Sequence, residues 1–159
     1  MQKITPCLWF DDQAEEAARF YASIFKNSKL GEITRYGEGM PRPKGSVLTV
    51  RFWLDGQELL ALNGGPEFKF TEAISLIVHC ETQSEIDRMW ESLSEGGEKV
   101  QCGWLKDRYG MSWQVVPSIL PRMLTGPDPA GSARVLQSIM RMKKLDIEEL
   151  KRAYGPKSA

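Results

Sequence analysis

The sequence predicts an α+β fold with two successive βαβββ modules and a helical C-terminal extension. The first observation behind this prediction is a strand followed by a helix near the N-terminus, a pattern that recurs in the second half of the chain. The second is that strand signals follow each of these helices. The third is that strand patterns give way to helical periodicity beyond Pro117.

The predicted elements divide the chain into four segments. We expect the first module in residues 1–63, a linker that begins Gly-Gly-Pro in 64–72, the second module in 73–117 and the helical extension in 118–159. A chain of 159 residues with 42% hydrophobic residues has enough apolar side chains to bury a proper core. The protein is therefore expected to fold unaided.

The first module begins with a strand predicted at 4–10. Asp12 and Glu15 then match a capping box at the start of a helix. Apolar residues at helical spacing follow, namely Ala14, Ala17, Tyr21, Ile24 and Phe25. The remaining strands are predicted at 32–36, 47–54 and 58–62, with Asp55-Gly56 as a two-residue hairpin turn.

The second module repeats this order. A strand is predicted at 73–80, and Thr82 and Glu85 form a second capping box. The helix that follows carries the apolar residues Ile86, Met89, Trp90 and Leu93. Its strands are predicted at 99–102, 104–106 and 112–116.

The extension is predicted to contain three helices. The first is short, at 119–124, and the second begins at Asp128-Pro129. The third begins at Asp146 with Glu149 three residues later. The second helix carries an apolar stripe of Val135, Leu136, Ile139 and Met140, and the third one of Ile147, Leu150 and Tyr154.

Alternation assigns the strand residues to two faces, because successive side chains of a strand point to opposite sides. The set predicted to pack against the helices is apolar: Ile4, Leu8, Phe10, Leu48, Val50, Phe52, Leu54, Leu60, Leu62, Ile74, Leu76, Val78, Trp113 and Val115. The opposite set is mixed: Thr5, Cys7, Trp9, Thr49, Arg51, Trp53, Leu59, Ala61, Asn63, Ser75, Ile77, His79, Ser112, Gln114 and Val116. The mixed face is expected to line a pocket, to meet a partner or to face water.

Composition argues against several classes of partner. Lys+Arg and Asp+Glu both number 21, so no net charge favours nucleic acid or an anionic membrane. Three widely spaced cysteines without a CxxC pair argue against a disulfide framework or a thiolate zinc site. The N-terminal segment lacks the pattern of a leader peptide, and we expect a soluble, cytoplasmic protein.

Several motifs carry a family resemblance: ITPCLWFD at 4–11 with AEEA at 14–17 and Phe20-Tyr21, LALNGGP at 60–66, GWLKD at 103–107 with Tyr109-Gly110, and SWQVVP at 112–117. Together they resemble the PhnB-like branch of the vicinal-oxygen-chelate superfamily, which includes glyoxalase I, bleomycin-resistance proteins and extradiol dioxygenases. The resemblance covers about residues 2 to 117. It implies modules of the glyoxalase/bleomycin-resistance type and a homodimer.

The resemblance also indicates where a site would lie. In metal-dependent relatives four inward side chains hold a divalent ion, and the corresponding positions here are Thr5 or its neighbour Pro6, Ala61, Ser75 and Gln114. An amide and two hydroxyls are poor ligands for a transition metal, so we expect neither a metal nor another cofactor. The expected site is a pocket for an apolar or aromatic small molecule, lined by Trp9, Trp53, Ala61, Asn63, Ser75 and Gln114. Secondary candidates are Cys7, Arg51, His79 and Trp104.

Other interpretations remain open. Proteins of this branch are often labelled 3-demethylubiquinone-9 3-methyltransferase, but no glycine-rich turn here joins a strand to a helix, as methyl-donor binding would need. One alternative is a metal-dependent isomerase or lyase of the glyoxalase kind that uses Gln114 and His79. Another is an interaction module that acts through the helical extension, an interpretation that exposed apolar stripes would favour. Whether the pocket catalyses a reaction is left open.

Overall fold

The structure is a computed structural model that describes residues 2–155 and divides into two compact units after Phe70. Each unit contains a four-stranded sheet and the helix of one βαβββ module, and the second unit also contains the C-terminal helices. The predicted α+β fold with paired modules is confirmed. Residue 1 and residues 156–159, at the ends of two predicted segments, lie outside the described residues.

The first unit contains β1 (Cys7–Phe10), α1 (Ala14–Ile24), β2 (Lys29–Arg35), β3 (Val47–Leu54) and β4 (Gln57–Asn63). The strand order is β1-β4-β3-β2, with β1 parallel to β4 and the other neighbours antiparallel. Asp55 and Gly56 form the predicted two-residue turn with φ values of 46° and 81°. The strand predicted at 4–10 is longer than β1, and β2 begins at Lys29, before the strand predicted at 32–36.

Helix α1 covers one face of this sheet. Small residues on the helix, the fully buried Ala14, Ala17 and Ala18, allow it to lie close to the strands. Tyr21 stacks on Phe52 of β3 with ring centroids 6.3 Å apart. The core of the first unit lies between α1 and this face.

The start of α1 differs from the prediction. The helix begins at Ala14, and Gln13 at the N-cap makes no side-chain capping bond, so the capping box predicted at Asp12 is wrong. The cap comes from β4 instead, because Asn63 Oδ1 accepts a hydrogen bond from Ala14 N at 2.8 Å. Asn63 Nδ2 also donates to Val47 O at 3.1 Å. One side chain therefore ties the start of the helix to two strands.

The two faces of β4 are the reverse of those predicted. Ala61 pairs with Leu8 and with Val50, and both partners are buried beneath α1. Asn63 is on the same side, as its bond to the start of α1 requires. The open face of β4 therefore carries Glu58, Leu60 and Leu62. The prediction that Ala61 and Asn63 lie on the open face, with Leu60 and Leu62 facing the helix, is wrong.

The second unit contains β5 (Ser75–Cys80), α2 (Gln83–Ser94), β6 (Glu98–Lys99), β7 (Trp104–Lys106), β8 (Ser112–Pro117), α3 (Leu120–Leu124), α4 (Pro129–Ile139) and α5 (Ile147–Tyr154). The strand order is β5-β8-β7-β6, with β5 and β8 parallel. The cap predicted at Thr82 is confirmed, since Glu85 N donates to Thr82 Oγ1 at 3.2 Å. Glu85 Oε2 accepts from Glu81 N at 2.8 Å, one residue before the position that a capping box uses. Asp146 likewise caps α5 through Glu149 N.

The extension shares an apolar cluster with the end of β8. Val116 is buried there with Met123, Val135, Ile139, Met142, Leu145 and Leu150. Gln83 of α2 fastens the extension, because its Oε1 accepts from Ile147 N at 2.9 Å and its Nε2 donates to Leu145 O at 3.1 Å. These contacts make the extension part of the second unit.

The apolar stripe of α4 is only partly buried. Val135 and Ile139 pack into the cluster, whereas Leu136 and Met140 are exposed. An interaction module that acts through the extension therefore stays a prediction, with Leu136 and Met140 as the exposed apolar residues of this stripe. Among residues 2–155, no helix is both long and apolar enough to cross a membrane.

Candidate functional site

The open face of the second sheet presents three rows of side chains. Strand register places the members of each row side by side across neighbouring strands. The first row is Ser75, Ser112 and Lys106, the second is Ile77, Gln114 and Trp104, and the third contains His79 and Val116. The face predicted for these residues of β5 and β8 is confirmed.

Two of the predicted site residues meet directly on this face. Gln114 Nε2 donates a hydrogen bond to Ser75 Oγ at 2.9 Å. The serine hydroxyl hydrogen and the amide oxygen of Gln114 have capacity for further bonds. Beside them, Ile77 is half exposed and Trp104 is partly buried. The second row therefore combines an amide with two apolar surfaces.

Ser112 is the unexpected member of the first row. It is 1% exposed, and its hydroxyl has no hydrogen-bond partner among the described residues. A buried hydroxyl without a partner costs about 1–3 kcal/mol. The sequence places Ser112 on the correct face, but nothing in the sequence indicates that its hydroxyl is unpaired.

An ion pair lies at the end of the first row. Lys106 Nζ is 2.5 Å from Glu72 Oε1, and both side chains are partly or well exposed. The hydrogen bond from Lys106 lowers the pKa of the Glu72 carboxyl, and the same bond raises the pKa of the lysine. Both groups are charged at neutral pH, so the row contains a cation whose partner is a carboxylate of the same unit.

The third row is partly covered by the extension. Val116 belongs to the apolar cluster that α3, α4 and α5 form with β8. His79, which pairs with Val116 in register, is exposed on the edge strand β5. The described contacts give His79 no carboxylate or second ligand, and its role as base or metal ligand stays a prediction.

Trp9 lies on the open face of the first sheet, where its ring packs against its own chain. A Cβ at Gly64 would overlap the indole, Trp9 Nε1 donates to Gly65 O at 2.9 Å, and Phe68 makes an edge contact at 4.9 Å. The Gly64-Gly65 pair therefore holds an indole ring, and Gly65 has a φ of 111° that favours glycine. This arrangement does not resemble a cradle for a methyl-donor cofactor, and the pair does not precede a helix.

Trp53 is the second predicted aromatic wall. Its ring lies against Gly31 of β2, and Lys29 Nζ is 4.7 Å from the ring centroid. A shallow depression of about 260 Å³ beside it is lined by Asn27, Ser28, Lys29, Trp53 and Gly56. Trp53 thus contributes to a surface depression that the sequence did not predict.

Glu58 is a buried carboxylate that the sequence analysis missed. It lies on the open face of β4, is 5% exposed and pairs with Arg51 at 3.2 Å. The predicted candidate Arg51 therefore has an internal partner. Residues at equal distance from a two-residue turn pair with each other. Counting from Asp55-Gly56 would therefore have placed Glu58 opposite Trp53 on the same face of the sheet.

Neither Cys7, a secondary candidate from the sequence, nor Cys80 has an activated thiol. Cys7 is exposed as a residue, although partial burial of its thiol raises the pKa. Burial raises the pKa of Cys80 to about 12. Because only the thiolate is nucleophilic, neither environment activates the sulfur.

The positions that correspond to metal ligands do not fit a divalent transition metal. Ser75 and Gln114 are bonded to each other, and Ala61 has no donor atom and faces the helix. Residues 2–155 contain no group of three His, Cys, Asp or Glu side chains arranged to hold an ion. A hydroxyl and an amide are weak ligands for such ions.

Comparison with known proteins identifies the family. Residues 2–116 match the family model described as 3-demethylubiquinone-9 3-methyltransferase. The chain is 40% identical to a putative 3-demethylubiquinone-9 3-methyltransferase, PhnB protein, from Bacillus cereus, with a TM-score of 0.67, 73% of this chain covered and 99% of that one. Comparison with curated proteins finds no significant match.

More distant structures share the fold. A protein from Pseudomonas aeruginosa is 21% identical, with a TM-score of 0.61 and with 74% of this chain and 98% of that chain covered. The fosfomycin resistance protein FosX from Listeria monocytogenes, solved with Mn(II) and sulfate, is 15% identical, with a TM-score of 0.50 and coverage of 74% and 91%. The family match ends just before α3. The chain therefore belongs to the family described as 3-demethylubiquinone-9 3-methyltransferase, and its similarity to the PhnB protein agrees with the PhnB-like resemblance of its motifs.

Proposed function

We propose that this chain binds a small organic ligand with an apolar or aromatic part on the open face of its second sheet, without a resident metal ion. The observation that carries the proposal is the hydrogen bond between Gln114 and Ser75 in a row that also presents Ile77 and Trp104. Apolar surface supplies affinity, while an amide and a hydroxyl orient the bound molecule.

The donor chemistry supports binding rather than metal-dependent isomerisation. Gln114 donates one N–H to Ser75, so the amide oxygen of Gln114 and the hydroxyl hydrogen of Ser75 keep the capacity to bond to other partners. A neutral pair of this kind suits a hydroxyl or carbonyl group of a ligand. The methyl transfer in the family's description has no support from the glycine pair, because Gly64 and Gly65 hold Trp9.

The test uses isothermal titration calorimetry with 2-naphthylmethanol, a neutral aromatic alcohol. Replacing Ile77 with threonine removes apolar surface worth about 1 kcal/mol, so we expect about fivefold weaker binding. Ile74→Thr is the matched control, because Ile74 is similarly exposed but precedes β5 and belongs to none of the three rows. Equal affinity in Ile77→Thr and wild type, or no binding by wild type, overturns the proposal.

The metal-free part of the proposal is tested separately. Protein purified without an affinity tag is dialysed against zinc, nickel or manganese and then analysed for bound metal. We expect far less than one equivalent, because the donors are a hydroxyl and an amide. Retention near one equivalent that is lost on Gln114→Ala would instead favour a metalloenzyme.

The same proposal includes a cytoplasmic homodimer. Three free cysteines suit a reducing compartment, and the edge strands β5 and β6 leave backbone groups available beyond the second sheet. Sedimentation velocity should give twice the mass of the 18.0 kDa chain. A monomer at micromolar concentration would refute the dimer.

A further inference from the structure

The first row of the second sheet places two hydroxyls and a cation side by side. Ser75 pairs with Ser112 on one side, and Lys106 pairs with Ser112 on the other. Alternation puts all three side chains on the open face with Gln114. The row is therefore a strip of hydrogen-bond donors that ends in an ammonium group.

The central hydroxyl of this strip has no protein partner. Ser112 is almost fully buried, yet its Oγ makes no hydrogen bond among the described residues. Buried polar groups in proteins are nearly always paired, and an exception calls for a ligand, a water or a functional reason. The unpaired donor lies directly beside the lysine.

The lysine already holds a carboxylate. Glu72 lies before β5, and its Oε1 is 2.5 Å from Lys106 Nζ. The glutamate side chain is 61% exposed, so water competes for it and an ion pair of this kind contributes little stability. A carboxylate supplied from outside can therefore exchange with Glu72 at small cost.

We propose that Lys106, Ser112 and Ser75 form a subsite for a carboxylate group of the ligand, which replaces Glu72 as the partner of Lys106. This inference rests on the proposed function and names the chemical class of the ligand, an aromatic or apolar carboxylate. The ammonium of Lys106 pairs with the carboxylate, and the hydroxyl of Ser112 donates to it. The apolar part of the ligand then lies over the second row, against Ile77 and Trp104.

The experiment compares two probes by calorimetry at low ionic strength. 2-Naphthoate and 2-naphthylmethanol share the naphthalene ring, and the first carries a carboxylate where the second carries a neutral hydroxymethyl group. We expect the wild-type protein to prefer naphthoate by about tenfold, because a hydrogen bond to a charged group is stronger than a neutral one. Lys106→Met should abolish this preference. Glu72→Gln should raise naphthoate affinity by about threefold, because it removes the internal competitor.

Two further variants separate the subsite from general electrostatics. Ser112→Ala should lower naphthoate affinity severalfold and leave naphthylmethanol binding unchanged. Lys99→Met is the matched control, because Lys99 also forms an ion pair, at 2.7 Å with Glu91, but pairs in register with the buried Leu105 on the helix side. The Lys99→Met variant should keep the preference for naphthoate over naphthylmethanol.

The outcomes distinguish the two proposals. If the wild-type protein and Lys106→Met each bind the two probes with equal affinity, the carboxylate subsite is overturned and the apolar ligand site stays intact. Loss of the preference in Lys99→Met also overturns it, because the effect would then come from overall charge. Absence of binding by both probes overturns the ligand site itself.

Discussion

Replacing Asn63 with alanine should destabilise the first unit, because this side chain joins the start of α1 to the sheet. Asn63 is 4% exposed and bonds to Ala14 N at 2.8 Å and to Val47 O at 3.1 Å. Loss of the first bond leaves a buried N–H unpaired, at about 1–3 kcal/mol. The second bond is partly buried and contributes about 1 kcal/mol. The free energy of unfolding should therefore fall by about 2–4 kcal/mol.

Urea denaturation followed by circular dichroism measures this change. Gln13→Ala is the control, because Gln13 occupies the N-cap without a capping bond, and it should change the free energy of unfolding by less than about 0.5 kcal/mol. The folded Asn63→Ala protein should bind 2-naphthylmethanol with unchanged affinity. A loss from Gln13→Ala as large as that from Asn63→Ala would refute a cap supplied by β4.

Three further predictions concern packing, anchoring and thiol reactivity. Gly64→Ala should cost about 1–3 kcal/mol in urea denaturation, because the new Cβ overlaps an indole ring, whereas Gly37→Ala, with only ordinary contacts, should cost less than about 0.5 kcal/mol. Gln83→Ala removes both of its hydrogen bonds to the extension, so amide hydrogen exchange in α5 should accelerate while exchange in α1 stays unchanged. Iodoacetamide at pH 8 should alkylate Cys7 more slowly than a free cysteine and leave Cys80 unmodified in the native protein, because raised pKa values reduce the thiolate fraction; rapid labelling of Cys80 on mass spectrometry would contradict this.

The sequence was sufficient for the order of the elements because both modules carry strong local signals. The Asp55-Gly56 turn and the Thr82 cap each depend on residues that are adjacent or three apart, and both are present in the structure. Such signals determine structure through residues that are close together in the sequence. They do not depend on tertiary packing.

The face of β4 was predicted wrongly because the run Leu59-Leu60-Ala61-Leu62 is apolar throughout and has no alternation to set its phase. The turn contains the missing information. A two-residue hairpin pairs residues at equal distance from it, so Phe52 pairs with Leu59 and Val50 with Ala61. Register counted from the turn would have placed Ala61 beneath α1.

The cap of α1 could not be predicted from local sequence. Asn63 lies far from Ala14 along the chain and reaches it because β4 pairs with β1, which places Asn63 opposite Phe10. The unpaired hydroxyl of Ser112 is similarly a property of the surroundings. Both depend on which strands become neighbours, and residue patterns within a single element do not carry that information.

The docking of the extension limits how this part of the chain can be transferred to other proteins. Leu145, Leu150 and Val135 are fully buried, and the cluster that buries them includes Val116 from the sheet. A two-module relative that received residues 118–155 would also need a glutamine at the position of Gln83 and an apolar residue at the position of Val116. The extension depends on the residues that hold it, Gln83 and Val116. Recombination between homologues would therefore preserve the fold only where the extension and these residues are exchanged together.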